Sequence, residues 1–279
     1  MRLDVKKTYK LYIGGAFPRS ESGRVYSIND ADGEFLANPS QASRKDLRDA
    51  VVSARSAVSG WSSATAYNRG QILYRVAELM EGRSSQFIDE IQALEGATAK
   101  SAKAQVNTAI DCWVWYAGWC DKIASVSGST NSVSGPYYNF TVPENLGVVG
   151  VIAEQENSLI GAIAGLASVL AGGNTAIVVA SENYPLPAIS LAEVLATSDV
   201  PAGVVNILTG VTAELFPWLA SHMDIDGLDI SGLTADQEVQ ARTSGAENLK
   251  RIHRFEEYQS LRRIQSFMEN KTVWHPIGV

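Results

Sequence analysis

The chain has 279 residues, 46% of them hydrophobic, enough for a sizeable core in one large α/β domain or one domain plus appendages. A count of 30 acidic against 23 basic residues gives a net charge of −7, so the chain has no electrostatic reason to seek nucleic acid or an anionic membrane. No run approaches a membrane span and the N-terminus carries no apolar signal region, so a soluble, cytoplasmic protein is expected.

In chain order, Lys10 to Phe17 (KLYIGGAF) predicts a hairpin turning at Gly14-Gly15. A second small pairing is expected over Val25 to Ala37, turning at Asp32-Gly33. Ser43 as N-cap and Asp46 at N3 open a helix with Leu47, Ala50, Val51, Ala54 and Val58 at helical spacing, stopping at Gly60-Trp61. Asn68 to Phe87 predicts the next helix. Ser101 to Ala124 predicts a long one rich in Trp and Tyr, whose aromatic residues read as packing. Cys112 and Cys120 fall within it. Eight residues of helix separate them by about 12 Å, too far for a disulfide, so they read as small buried hydrophobes of a reducing compartment.

Gly147 to Ala153 is a β-branched run without polar alternation, the pattern of a strand covered on both faces. Leu159 to Leu170 is an apolar helix of small residues stopped by Gly172-Gly173, and Asn174 to Val179 is a second buried strand. Together they make a right-handed βαβ unit. Pro185 to Ala196 then predicts an amphipathic helix, Asp199 to Leu208 leads into a strand closed by Thr209-Gly210, Val211 to Ser221 predicts a helix and Met223 to Ile230 a strand. Residues 243–271 read as one charged helix. Its Arg251, Arg254, Arg262 and Arg263 alternate with Glu247, Glu256 and Glu257 as a solvated face. His222, His253 and His275 form no metal-ligand set, and no phosphate loop, nucleophile elbow or calcium loop is present.

Several stretches resemble the NAD(P)-dependent aldehyde dehydrogenases: YIGG at Tyr12, GVVGVIA at Gly147, AGGNT at Ala171, PAGVVN at Pro201, and a tail in which Lys271-Thr272-Val273 resembles the family's Lys-x-Val. The resemblance implies an α/β fold, a Rossmann-like doubly wound parallel sheet of the family's cofactor domain. Residues 1–124 and 144–242 would build it. Residues 125–143 and 243–279 would be β-arms for oligomerisation. After Ile230 some members of the family continue into a general-base segment and a catalytic domain with its nucleophilic cysteine. This chain passes instead toward the C-terminal arm, so no catalytic domain and no catalytic residue are expected.

By the same resemblance, the loop asparagine that donates to an oxyanion falls on Glu156, and the lysine that holds the adenosine ribose falls on Val179. Glu182 remains. Of a glycine pair, Gly210 is kept and Val211 is not, and the phosphate-receiving turn falls on Gly232-Leu233-Thr234. Glu182, Gly210 and Gly232 are therefore vestigial cofactor positions. No cofactor is expected, and NAD binding is expected to be poor. The resemblance is to the non-catalytic second domain of two-domain aldehyde dehydrogenases. It implies a pseudoenzyme that scaffolds an active aldehyde dehydrogenase subunit through arms at Tyr137 to Val142 and Lys271 to Ile277. The alternatives are a shortened enzyme with residual oxidoreductase activity and a nucleotide-binding sensor.

Overall fold

A computed structural model describes residues 5–278 of the chain. The entry hairpin forms as expected. Gly14 and Gly15 adopt φ of 61° and 79°, which glycine reaches without a Cβ penalty, and Tyr12 bridges to Ile207 of the core. Strands β1 (Ile28–Asn29) and β2 (Phe35–Ala37) pair antiparallel around Gly33. Helix α1 (Arg44–Ser63) starts with the expected capping box: Ser43 Oγ accepts the Asp46 N–H, and Asp46 Oδ2 accepts the Ser43 N–H at 2.8 Å. It runs two residues past Trp61, whose buried Nε1 donates to the Leu170 carbonyl.

The expected single helix over 68–87 is two. Helix α2 (Ala66–Glu81) stops at Gly82 and α3 (Ser84–Glu95) restarts at once. The long aromatic helix also divides, into α4 (Ala99–Trp119) and α5 (Ile123–Ser127), with Cys112 and Cys120 buried as free thiols. There follow β3 (Ser129–Asn131), β4 (Tyr137–Asn145), β5 (Val148–Ile152), α6 (Ser158–Ala171) and β6 (Thr175–Val179). Next come α7 (Leu186–Leu195), β7 (Val205–Leu208), α8 (Thr212–Ser221) and β8 (Gly227–Asp229).

The charged helix expected over 243–271 does not form. Helix α9 (Ala235–Gly245) ends early, and Leu249 turns the chain with φ of 55°. Strand β9 (Arg251–His253), α10 (Leu261–Gln265) and β10 (Met268–Pro276) follow. The charge alternation hid Ile252, a β-branched residue that the sheet edge takes up. So the segment expected as an arm from residue 243 first adds a strand to the core, and only its end projects.

The five core strands are all parallel, in the order β7-β6-β5-β8-β9. Alternate residues feed two hydrophobic layers: Val149 and Val151 face α2, α4, α6 and α7, while Val148 and Ile152 face α1 and α8. This is the expected doubly wound sheet. Close approach depends on small residues; a Cβ at Gly165 would come within 2.5 Å of Val151 Cγ1. Helix α7 is not amphipathic but buried nearly all round, because α2, α3 and α6 cover it. A separate sheet of order β10-β4-β3 makes the arm. Strands β4 and β10 pair antiparallel over nine positions, from Met268 opposite Asn145 to Pro276 opposite Tyr137.

Candidate functional site at the carboxyl edge of the sheet

In a parallel α/β sheet the ligand crevice lies beyond the carboxyl ends of the strands, where the winding reverses. Here that point is between β5 and β8. The three positions singled out in the sequence all lie along this edge. Glu182 follows β6, Gly210 follows β7, and Gly232 follows β8.

Glu182 Oε2 accepts the Thr212 N–H at 2.9 Å, so its carboxylate caps the N-terminus of α8. Its own N–H donates to Gln155 Oε1 at 2.9 Å, and Ser181 Oγ donates to the Gln155 carbonyl. Gly210 adopts φ of 151°, and a Cβ there would lie 3.1 Å from the Ala42 nitrogen. Gly232 packs against the end of β5, where a Cβ would lie 1.9 Å from the Ala153 carbonyl oxygen. Gln155 links the two sides, since its Nε2 donates to that same Ala153 carbonyl at 3.1 Å.

Two of the other helix N-termini of this edge, those of α6 and α9, are also occupied by the chain's own groups. At α6, Glu95 Oε1 accepts the Ser158 N–H and hydroxyl, and Gln105 Oε1 accepts the Leu159 N–H. At α9, Thr234 and Gln237 form a capping box. A helix N-terminus attracts phosphate through free N–H groups and its dipole. Of the four helices that start at this edge, α6 and α8 already hold a carboxylate, and α7 starts with no side-chain cap. Val179 does not line the crevice; it is fully buried in the layer under α1 and α8. Glu156 is exposed on the loop before α6. Thr212 Oγ1 is buried with no hydrogen-bond partner among the described residues, and the Tyr26 hydroxyl is buried beside Glu182 and the Gly210 backbone, enough polar capacity for a water or a hydroxyl group.

The switch point itself is covered by residues 254–263, which the sequence had assigned to an exposed helix face. Arg263 lies 2.8 Å from Asp229 Oδ2 at the end of β8, and both side chains are 2% exposed. Arg263 Nε also donates to the Glu257 carbonyl, and the guanidinium stacks on Phe255. Arg254 donates to the Ser231 and Leu233 carbonyls and pairs with Glu238. Tyr258 donates from its hydroxyl to Glu154 Oε2 at 3.2 Å, and its carbonyl accepts the Tyr116 hydroxyl at 2.9 Å. Burial, then the adjacent carboxylate, pushes the Tyr258 phenol up to about 12, and burial raises Glu154. No periodicity in the sequence points to this clasp, because it joins residues 34 apart at Asp229 and Arg263 and 104 apart at Glu154 and Tyr258.

Burial also pushes the thiols of Cys112 and Cys120 up to about 12, so both are protonated near neutral pH. The native protein should therefore react with a thiol-specific disulfide reagent on the order of 100-fold more slowly than the urea-unfolded chain. Stoichiometric titration of either thiol in the folded protein within the mixing time would contradict this. Among the described residues no group of acidic, His and Cys side chains could hold a metal ion, and no helix is long and apolar enough to cross a membrane.

The profile of the aldehyde dehydrogenase family matches residues 17–254. The chain is 32% identical over 256 residues to retinal dehydrogenase 2 of Homo sapiens, covering 90% of this chain and 48% of that protein. It is 32% identical over 258 residues to cytosolic 10-formyltetrahydrofolate dehydrogenase of Mus musculus, covering 90% of this chain and 28% of that protein. An aldehyde dehydrogenase of Bacillus cereus, solved as an NAD+ complex, superimposes with a TM-score of 0.84 at 26% identity, over 89% of this chain and 50% of that one. The chain thus spans about half the length, or less, of the relatives it matches. The family profile, these identities and the doubly wound sheet agree: this chain belongs to the aldehyde dehydrogenase family.

Proposed function

We propose that the protein is a non-catalytic member of its family, a pseudoenzyme subunit that scaffolds or stabilises an active NAD(P)-dependent aldehyde dehydrogenase. The observation that carries this reading is the clasp over the switch point. The segment after β9 lies on Asp229 and Glu154 and returns through α10 straight into β10. Buried free thiols fit a reducing compartment, and we assign the protein to the cytoplasm. The partner is an active aldehyde dehydrogenase subunit, met through the arm at Tyr137 to Val142 and Lys271 to Ile277. Co-purification from the native source, with the stoichiometry measured, tests the reading. A chain recovered alone, turning over aldehydes by itself, would favour a shortened enzyme. Replacing both Cys112 and Cys120 with serine should leave the activity of a complex unchanged.

The residues of the carboxyl edge do not suit a dinucleotide. Glu182 and Glu95 place carboxylates on helix ends that a pyrophosphate would need, and Val179 supplies no cation. NAD affinity of the isolated chain should be weaker than millimolar, less than about 4 kcal/mol of binding. Calorimetry with NAD+ and NADH checks this. A micromolar dissociation constant would favour a nucleotide-binding sensor, with the Tyr26 and Thr212 hydroxyls as its first contacts.

A further inference from the structure

A cavity of about 690 Å³ lies between the first turns of α1 and the C-terminal half of α8, and shares no residue with the carboxyl-edge site. Its size is in the range of small-molecule pockets. Leu47, Trp218 and Met223 give it an apolar wall, with Trp218 39% and Met223 65% exposed. Arg44, Lys45 and Arg48 stand on its rim against a single lining carboxylate, Glu21. In a chain of net charge −7 this is a local reversal of sign.

The three cations are not equivalent. Lys45 approaches Glu21 at 3.5 Å and Arg48 pairs with Asp49 at 3.1 Å. Arg44 has no carboxylate partner among the described residues; its guanidinium stacks on the Trp218 ring with Cζ 3.8 Å from the centroid. Stacking orients a guanidinium without neutralising it, so the full charge of Arg44 stays available at the cavity wall. His222 adds a donor. Its Nδ1 accepts the Asp224 N–H at 3.2 Å, which leaves Nε2 to carry the proton of the neutral ring. Burial holds that imidazole below its ordinary pKa, so it is neutral at pH 7.

We propose that this groove is a binding site for a small planar anion of the aromatic carboxylate class. The ring lies against Trp218, Leu47 and Met223, and the carboxylate meets Arg44. A bare inorganic anion would leave the apolar wall unused, and a neutral ring would leave Arg44 unanswered.

Benzoate is the probe, with benzamide as its neutral isostere and inorganic phosphate as the bare anion. Calorimetry on the full chain should show saturable 1:1 binding of benzoate. Benzamide and phosphate should each bind at least tenfold more weakly. Arg44→Gln should weaken benzoate at least tenfold. Trp218→Phe should remove the fluorescence change that accompanies binding. Both side chains are exposed, so coincident urea melts of the variants and the parent are expected; should Arg44→Gln fail to fold, Arg44→Met carries the same test. Absence of saturation at millimolar benzoate, equal affinity for benzamide or phosphate, or unchanged affinity in the arginine variant would each overturn the assignment.

Discussion

Replacing Arg263 with methionine should destabilise the protein by about 3–5 kcal/mol, the cost of leaving a buried charge without its partner. Asp229 would stay at the end of β8, 1% exposed, keeping only its bonds from the Ser231 N–H and hydroxyl. The substitution would also release the Glu257 carbonyl and the stacking on Phe255, loosening the clasp. Asp229→Leu alone should cost a similar amount, because it strands the guanidinium instead. The double variant Asp229→Leu/Arg263→Met should recover most of the loss, since a well-packed apolar pair of similar volume is often as stable as a buried ion pair. Urea unfolding of the four proteins gives the cycle and its coupling energy. Single variants that lose less than about 1 kcal/mol would show that the pair is solvated and the clasp open.

That ion pair also shows where sequence reasoning ends. The βαβ core was legible because its residues carry their own periodicity: Val148 to Ile152 and Thr175 to Val179 are continuous apolar runs, and Gly172-Gly173 stops the helix between them. The capping box at Ser43 and Asp46 was legible because a cap is a local bond. Arg263 was not, since a charge set among Arg254, Arg262, Glu256 and Glu257 has the composition of a solvated face. Only Asp229, brought beside it by the sheet, makes its burial tolerable. The same holds for α7, whose Leu186–Leu195 run has polar Ser190 and Glu193 within it. Ser190 is buried because Glu90, Gln86 and Lys7 bond to it from other elements. At the site, Glu182 was found in the sequence as a residue type at a position. Its use as the cap of α8 depends on Thr212 arriving from a later strand-to-helix turn, which no local pattern encodes.

Deleting residues 272–279 should abolish association with an active aldehyde dehydrogenase while leaving the α/β core folded. The arm stands apart from the two hydrophobic layers, and among the described hydrophobic residues of its three strands only Met268 packs against them. Its sheet exposes Tyr138, Val142, Val273 and Trp274, between 38% and 57% of each. Strand β10 is an edge of nine residues. A long edge with apolar side chains pairs readily with another strand, so proteins normally cover it. The core keeps its own five strands and both helix layers without the deleted residues, so circular dichroism and the urea midpoint should change little. A finer variant separates the edge from the face. Val273→Lys leaves the backbone pairing with Phe140 intact and puts a charge among Tyr138, Phe140 and Val142. It should weaken association at least tenfold, about 1.4 kcal/mol, if the partner lies on that face. Light scattering and co-purification read both variants. A stable monomer at micromolar concentration in the parent, with partner recovery unchanged by the deletion, would mean the arm is not the interface.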